Sequence, residues 1–299
     1  MDNRKYEALL HIYESGSITR AADELGYTQS GLTQMINSME KELGLQLLIR
    51  TNKGVVLTGN AETLLPYMRE EHRWESRIRQ ECDRMTGKET GTVTVGCLSS
   101  VSTAWMPVIL EEFARLYPNI RVHMKENEAP QIEWMLKSGR IDVGITELHG
   151  DKDYDSVELL KDEILAVVPP NHELAFKTRV SLNELRKYPF VSYSTGDSST
   201  TEMGWPEIAT ENKIKFNTMY SCKDDMTAIH MVTHNLGVTL AGALLLSNYP
   251  GETVNLPLSP HLYRSLGMAV RSRKDTLPAT KSFIKCVNDV LKQWLPGVV

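Results

Sequence analysis

The feature that most constrains the fold is a change of hydrophobic pattern near Gly91. Before this point, apolar residues recur mainly at helical spacing. After it, short strand patterns alternate with helical patterns through the rest of the chain. Such alternation is typical of parallel strands joined by right-handed helical crossovers. The 299 residues are therefore expected to form a helical N-terminal part followed by an α/β part.

The first 57 residues predict three short helices and a β-hairpin. The third helix is expected over about 29–43, with Thr28 as its N-cap and an apolar face that includes Leu32, Ile36 and Met39. Two short β-runs, 47–50 and 55–57, surround a turn that contains Gly54. Three helices and a hairpin make a winged helix-turn-helix.

The other face of the third helix is polar but uncharged, since residues 27–39 contain no Asp, Glu, Lys or Arg. Amides and hydroxyls at helical spacing suit the reading of base edges in a major groove. Cations on the second helix and the hairpin can hold phosphates or enter the minor groove. The candidate DNA-binding residues are Arg20, Thr28, Gln29, Ser30, Thr33, Gln34, Asn37, Arg50 and Lys53.

Charge alone argues against nucleic acid, because the chain has a net charge of −5 and nucleic-acid-binding domains are usually basic. Residues 1–60 carry six Lys or Arg and seven Asp or Glu, a net charge of −1. DNA affinity would then depend on a few placed cations and give a modest salt dependence. A helical module for protein contacts remains the alternative interpretation of this region.

Residues 59–87 predict one long helix that links the two parts. A helix of this length spans about 40 Å, and its loose apolar stripe requires a partner helix. Pro66 is expected to kink this helix or to delay its start.

Residues 91–299 predict two α/β lobes, with lobe I at about 91–164 and 266–299 and lobe II at about 165–265. Small ligands bind at the carboxyl ends of strands in such folds. Hydroxyl-bearing residues follow several of these predicted strands and suit a carboxylate, phosphate or other polar ligand. The candidate effector-binding residues are Ser99, Ser100, Ser102, Thr103, Thr146, Ser194 and Thr195.

Other site types find little support in the sequence. The motifs GxSxG, HExxH, GxxxxGK[ST] and a strand-following GxGxxG are absent, so we expect no enzyme and no cofactor. His230 and His234 have metal-ligand spacing, but no third ligand is evident except Cys222 or Asp224 if folding brings one close, so no metal is expected. For Cys97 and Cys222, apolar packing is favoured over a redox switch.

The location is inferred from what the chain contains. Four widely spaced cysteines and a charged N-terminus indicate a cytoplasmic protein, and no apolar run reaches the roughly 20 residues that span a membrane.

Several runs resemble the LysR-type transcriptional regulators. In the N-terminal part these are SGSITRAADEL at 15–25, TQSGLTQMI at 28–36, LG at 43–44 and LLIR at 47–50. In the second part they are the Leu110…Phe113…Tyr117-Pro118 pattern, GRID at 139–142, and Val232 followed by LGV at 236–238. The resemblance covers essentially the whole chain.

The resemblance implies a fold and a function. The fold would be a winged helix-turn-helix at 1–58, a dimerisation helix at 59–87, and an effector-binding domain at 91–299 built of two Rossmann-like lobes, like a type 2 periplasmic binding protein. The function would be transcriptional regulation by a homotetramer that binds double-stranded DNA and a small polar or anionic effector. Ser99 and Ser100 would lie in the effector site.

Three positions depart from the family pattern. Ser30 replaces a frequent proline, Leu48 replaces a frequent Phe, and Asn235 stands where Gly is common. Asn tolerates the left-handed helix end, so Asn235 is benign. A cytoplasmic small-ligand-binding module with a helical protein-interaction head is the alternative to a regulator, and an α/β enzyme with a helical appendage is disfavoured.

Overall fold

The structure is a computed structural model, and it describes residues 2–52, 54–150, 153–193 and 213–294. The chain divides into two compact units, the first formed by residues 1–91 with 277–279 and the second by residues 92–276 with 280–299. Within the described ranges, no helix is both long enough and apolar enough to cross a bilayer.

Three capped helices form the N-terminal end of the first unit: α1 (Asn3–Ser15), α2 (Ile18–Leu25) and α3 (Gln29–Leu43). The side chains of Asp2, Ser17 and Thr28 each accept a backbone N–H of the following helix, which satisfies one otherwise unpaired donor. All three helices end at a glycine in the left-handed conformation, which only glycine adopts without strain. Local sequence therefore fixes both ends of each helix.

The hairpin packs against these helices as expected. Strands β1 (Leu48–Thr51) and β2 (Gly54–Leu57) pair antiparallel, with Leu48 opposite Leu57. The helices and the hairpin share one core, whose buried members include Leu9, Ile12, Leu32, Met39 and Leu47. This confirms the winged helix-turn-helix.

Helix α4 (Gly59–Met85) is the long helix, and it starts without delay at its N-cap Thr58. The expectation that Pro66 delays the start is wrong, because Pro66 is the eighth residue of a helix that continues through it. Proline removes one N–H donor there, and the many other backbone bonds maintain the helix.

The second unit holds a six-stranded sheet of order β4-β3-β5-β10-β6-β9 and a smaller pair β7-β8. The strands are β3 (Gly91–Cys97), β4 (Ile120–Glu126), β5 (Val143–Glu147), β6 (Asp155–Val168), β7 (Pro189–Tyr193), β8 (Asn217–Cys222), β9 (Thr239–Gly242) and β10 (Val254–Val270). The helices are α5 (Ser99–Ala104), α6 (Met106–Leu116), α7 (Ala129–Lys137), α8 (Leu182–Leu185), α9 (Asp225–Thr233), α10 (Ala243–Leu246) and α11 (Pro278–Trp294).

Two long strands, β6 and β10, run antiparallel through both lobes. The first lobe adds β3, β4 and β5 with their helices, and the second adds β7, β8 and β9. Parallel pairing, predicted throughout, holds for β3 with β5 and for β7 with β8. By contrast, β10 is antiparallel to β5 and to β6, and β9 is antiparallel to β6. Each of these antiparallel pairs involves one of the two long strands.

The run of hydroxyl-bearing residues that follows β3 is itself helical. It lies in α5, which begins at Ser99 and is followed by α6. The predicted hydroxyls of this segment therefore belong to helix α5 rather than to a loop. Asn235 has a φ of 60°, the left-handed conformation expected for it.

Candidate nucleic-acid interface and ligand cleft

Helix α3 presents an exposed polar face at the surface of the first unit. Gln29, Gln34 and Asn37 are exposed, and no hydrogen bond to another described residue engages their side chains. Their amide donors and acceptors are free for an external partner. The amide of a Gln or Asn side chain can bond N6 and N7 of one adenine together.

The hydroxyls of the same region are already partly used by α3 itself. Thr28 caps the helix by accepting the N–H of Gly31 at 3.1 Å, and Ser30 lies 3.2 Å from the Thr28 hydroxyl. Thr33 donates to the carbonyl of Gln29 at 2.9 Å. Hydroxyl oxygens can still accept or share a bond, but the amides of this face are the side chains without an internal hydrogen bond among the residues that the structure describes.

The hairpin and α3 line one groove of about 440 Å³. Thr33 and Asn37 lie on its helix side, and Ile49 and Arg50 lie on its hairpin side. Arg50 is exposed and lies on β1. The polar face of α3 and a cation of the hairpin, which is the wing of this fold, therefore belong to one continuous surface.

Two other predicted cations have different outcomes. Arg20 is exposed on α2, with no ion pair to a described residue. Lys53 lies outside the described residues. The hairpin around it is held against the helices because Val55 donates its N–H to the carbonyl of Gly16 at 3.1 Å.

In the second unit, the start of α5, which follows β3, contacts the start of α9, which follows β8 in the other lobe. Ser99 Oγ, at the start of α5, donates to Asp225 Oδ2, at the start of α9, over 2.5 Å. Asp225 Oδ1 also accepts the N–H of Met226 at 2.9 Å. Burial raises the pKa of the Asp225 carboxyl, while the bonds from Ser99 and Met226 and the positive charge of Arg264 act to lower it.

A buried ion pair lies next to this contact on the two long strands. Arg264 on β10 and Asp162 on β6 are directly opposite each other, and both Nε and Nη2 of Arg264 lie 2.8 Å from Asp162 Oδ2. Arg264 Nη2 also donates to Ser100 Oγ at 3.1 Å, and Leu244 donates its N–H to Asp162 Oδ1 at 2.8 Å. One ion pair thus joins a first-lobe helix to a second-lobe helix.

Close packing at this ion pair explains one glycine. A Cβ on Gly242 would lie 2.2 Å from Asp162 Oδ2 and 2.4 Å from Arg264 Nη2. The backbone must therefore come within contact distance of the pair, which only glycine permits.

The other predicted effector residues divide into three groups. Ser102 and Thr103 donate to the carbonyl of Ser99 within their own helix, and Ser102 also bonds Glu126. Thr146 is 1% exposed on β5, and its hydroxyl has no hydrogen-bond partner in the described part of the chain. Ser194 and Thr195 lie outside the described residues.

Sequence reasoning missed Asp162, Asp225 and Arg264. Asp162 is 2% exposed, but it stands in the charged triplet Lys161-Asp162-Glu163, which gives no sign of burial. A buried charge needs a partner, but nothing in the sequence points to Arg264, 102 positions away.

Cys97 is buried, Cys222 is half-buried, and the ring of His230 contacts an aromatic side chain. Cys97 is fully buried, and burial, reinforced by the charge of Glu126, raises its pKa to about 12. Burial also raises the pKa of Cys222, and Asp224 adds to the effect. Both thiols are therefore protonated at neutral pH, which disfavours redox chemistry. The ring of His230 packs edge-on against Tyr249, and the described residues contain no group of three potential metal ligands.

Comparisons with known proteins agree with this architecture. Residues 3–62 match the family described as bacterial regulatory helix-turn-helix protein, lysR family, and residues 86–292 match the LysR substrate binding domain. The HTH-type transcriptional regulator YvbU of Bacillus subtilis is 26% identical over 287 residues, covering 95% of this chain and 97% of that protein.

Two solved structures show the same fold. Full-length OxyR from Pseudomonas aeruginosa, as a single-residue variant, superposes with a TM-score of 0.76 at 19% identity, covering 98% of this chain and 95% of that one. Full-length CbnR in complex with its target DNA gives a TM-score of 0.65 at 16% identity, covering 97% and 99%.

The family matches decide between the interpretations left open by the sequence. They cover both the DNA-binding helix-turn-helix and the effector-binding domain, which rules out a protein-interaction head and an enzyme with a helical appendage. The chain belongs to the LysR family of transcriptional regulators, which are non-enzymatic DNA-binding proteins.

Proposed function

We propose that this regulator reads operator DNA with the polar face of α3 and grips the backbone with a few cations. The observation that carries the proposal is the exposed, unengaged set of amides on α3, beside a hairpin cation on the same groove. Base-edge recognition would come from Gln29, Gln34 and Asn37, with Thr28, Ser30 and Thr33 as supporting hydroxyls. Arg20, Arg50 and Lys53 would contact phosphates or the minor groove.

The DNA-binding part is proposed to be residues 1–58, followed by a dimerisation helix at 59–87 and the effector-binding domain at 91–299. Helix α4 supports the dimer. Tyr67 and Trp74 are 72% and 52% exposed, Ile78 and Met85 are 65% and 80% exposed, and their spacings of 7, 4 and 7 fit a heptad seam. Two such seams can bury each other, and two dimers would form a tetramer through other surfaces.

A small polar effector is proposed to bind between the lobes at Ser99 and Ser100, with Thr146 and the second-lobe residues Ser194 and Thr195 as further contacts. Ser99 and Ser100 already bond Asp225 and Arg264. The effector must therefore exchange partners with these side chains, which alters the interlobe contact. Because the Asp225 carboxylate already accepts the hydrogen bond of the Ser99 hydroxyl, an anionic effector would have to displace that carboxylate.

The test is binding to a labelled duplex from the region upstream of this protein's own gene, measured by fluorescence anisotropy at low salt. Gln29→Ala is expected to weaken binding by about 1–3 kcal/mol if Gln29 contacts a base, without change in the thermal midpoint. Gln293→Ala, which removes an exposed amide from the second unit, is the matched control and should bind like wild type. Equal affinity of wild type and Gln29→Ala contradicts the assignment of the reading face.

A further inference from the structure

One carboxylate, that of Glu40, ties the start of the hairpin to α3. Glu40 Oε1 accepts the backbone N–H groups of Leu47 and Leu48, at 2.6 and 3.1 Å. Leu47 immediately precedes β1 and Leu48 begins it. The first two residues of the hairpin are therefore tied to the helix by a side chain rather than by a backbone ladder.

These N–H groups have no replacement partner in the described residues. Strand β1 pairs only with β2 in its sheet, and Leu47 is fully buried. A buried backbone N–H without an acceptor is unfavourable, so loss of the carboxylate forces the hairpin to shift until water or another acceptor reaches it. The carbonyl of Leu47, by contrast, is bonded by the Thr58 N–H at 2.9 Å and keeps its partner.

Glu40 also lies on the groove that joins the reading face to the wing. Thr33 and Asn37 of α3, Glu40 itself and Arg50 of β1 all line this groove. Arg50 is two residues beyond Leu48 on the same short strand. A movement at the start of β1 therefore changes the distance from the Arg50 guanidinium to the amides of α3.

We propose that Glu40 is a positioning residue that sets the wing cation Arg50 at the spacing needed for α3 and the wing to bind one duplex together. This inference rests on the proposed function of α3 and the wing. Glu40 acts through the hairpin, since its Oε1 is engaged by two backbone N–H groups. Its removal should behave as the loss of a phosphate contact rather than as the loss of a base contact.

The test is a double-mutant cycle of Glu40→Ala and Arg50→Ala in the full-length protein, with the same upstream duplex as probe. Glu40→Ala alone is expected to weaken binding about tenfold at 0.1 M salt. It should also reduce the slope of log K against log salt concentration by about 1 for each DNA-binding domain. In the Arg50→Ala background, Glu40→Ala should cost less than about threefold, because the cation that it positions is gone. An equal cost in both backgrounds overturns the proposal.

Two matched variants separate positioning from charge and from folding. Glu42→Ala removes the same charge from the same helix, but Glu42 bonds Lys5 and Ser38 rather than the hairpin, so its affinity should not fall. Glu40→Gln keeps an oxygen acceptor and should restore both affinity and slope. If Glu40→Gln loses as much affinity as Glu40→Ala, the positioning role is wrong.

Circular dichroism and the thermal midpoint check that the variants fold. If Glu40→Ala is unfolded, Glu40→Asp replaces it in the cycle, since the shorter arm keeps the charge but no longer reaches both N–H groups. A wild-type protein that does not bind the duplex overturns the proposed function and this inference with it. Wild-type binding with an unchanged slope in the Glu40 variant overturns this inference alone.

Discussion

The two polar surfaces of this regulator differ in whether their functional groups are already bonded. On α3, the side chains of Gln29, Gln34 and Asn37 are exposed and make no hydrogen bond to the described residues. Between the lobes, Ser99 and Ser100 are bonded to Asp225 and Arg264. DNA bound at the proposed face of α3 would therefore break no internal hydrogen bond of these side chains, whereas an effector bound at the proposed site would exchange partners with the protein.

This difference suits a regulator. A DNA-binding surface whose side chains are not bonded internally needs no rearrangement before it binds, so no such cost reduces its affinity. A ligand site that must break an interlobe bond links occupancy to a change in the relation of the lobes, which is the differential interaction that any conformational response requires.

Breaking the ion pair between the lobes should have the largest effect. Asp162→Ala leaves the guanidinium of Arg264, whose side chain is 11% exposed, without its carboxylate, which costs about 3–5 kcal/mol for a buried pair. Urea unfolding of the full-length protein measures the loss. DNA binding by the first unit should persist at temperatures where the variant is folded.

The matched control is the double variant Asp162→Leu with Arg264→Met, which removes both charges. It should recover much of the lost stability, since replacing both members of a buried pair by apolar residues is often neutral. If Asp162→Ala is as stable as wild type, the ion pair does not hold the lobes together.

Disruption of the α4 seam should come next. Trp74→Glu together with Ile78→Glu places two charges in the proposed helix pair and should give a monomer. Size-exclusion chromatography with light scattering should then give the mass of one chain, 33.8 kDa. Removal of central interface anchors typically costs about 2 kcal/mol or more each. Arg79→Ala, which removes an exposed side chain paired with Glu75, should leave the oligomer intact; a monomeric wild type would contradict the seam.

Thr146 tests the ligand cleft with a small change in stability. Its buried hydroxyl has no partner among the described residues, so Thr146→Val should leave stability unchanged or raise it by up to about 1 kcal/mol. The same variant should bind an effector more weakly, because it lacks the hydroxyl that would bond it. The melting-temperature rise produced by metabolites that stabilise wild type measures this loss.

Local signals made the first unit predictable. The bounds expected for α3, 29–43, are those observed, because Thr28 and Gly44 mark its ends in the sequence. The hairpin was equally local, with Gly54 at its turn. Six of the nine candidate DNA-binding residues lie on α3 or at its cap, and one pattern of neutral side chains sufficed to choose them.

The second unit was predictable in class but not in detail. Strand β10 runs from Val254 to Val270, although Pro257 and Pro260 interrupt the strand pattern of its first half. Asp162 pairs with Arg264 on another strand, and Asp225 bonds a helix start on the other lobe. Both contacts join residues more than 100 positions apart. Periodicity reports which face is buried, but it does not report which distant charge faces it.

The most direct test of the account is the salt dependence of wild-type binding to the upstream duplex. Each DNA-binding domain has three candidate cations, Arg20, Arg50 and Lys53, which gives six on a piece of that duplex short enough to hold a single dimer. On that duplex, log K against log salt concentration should fall with a slope of about −5. Gln29→Ala should lower the affinity and keep that slope, since it removes a base contact and no phosphate contact. A slope near −10 on the single-dimer duplex, or a Gln29→Ala variant that binds like wild type, would contradict recognition by a neutral helix face and a few placed cations.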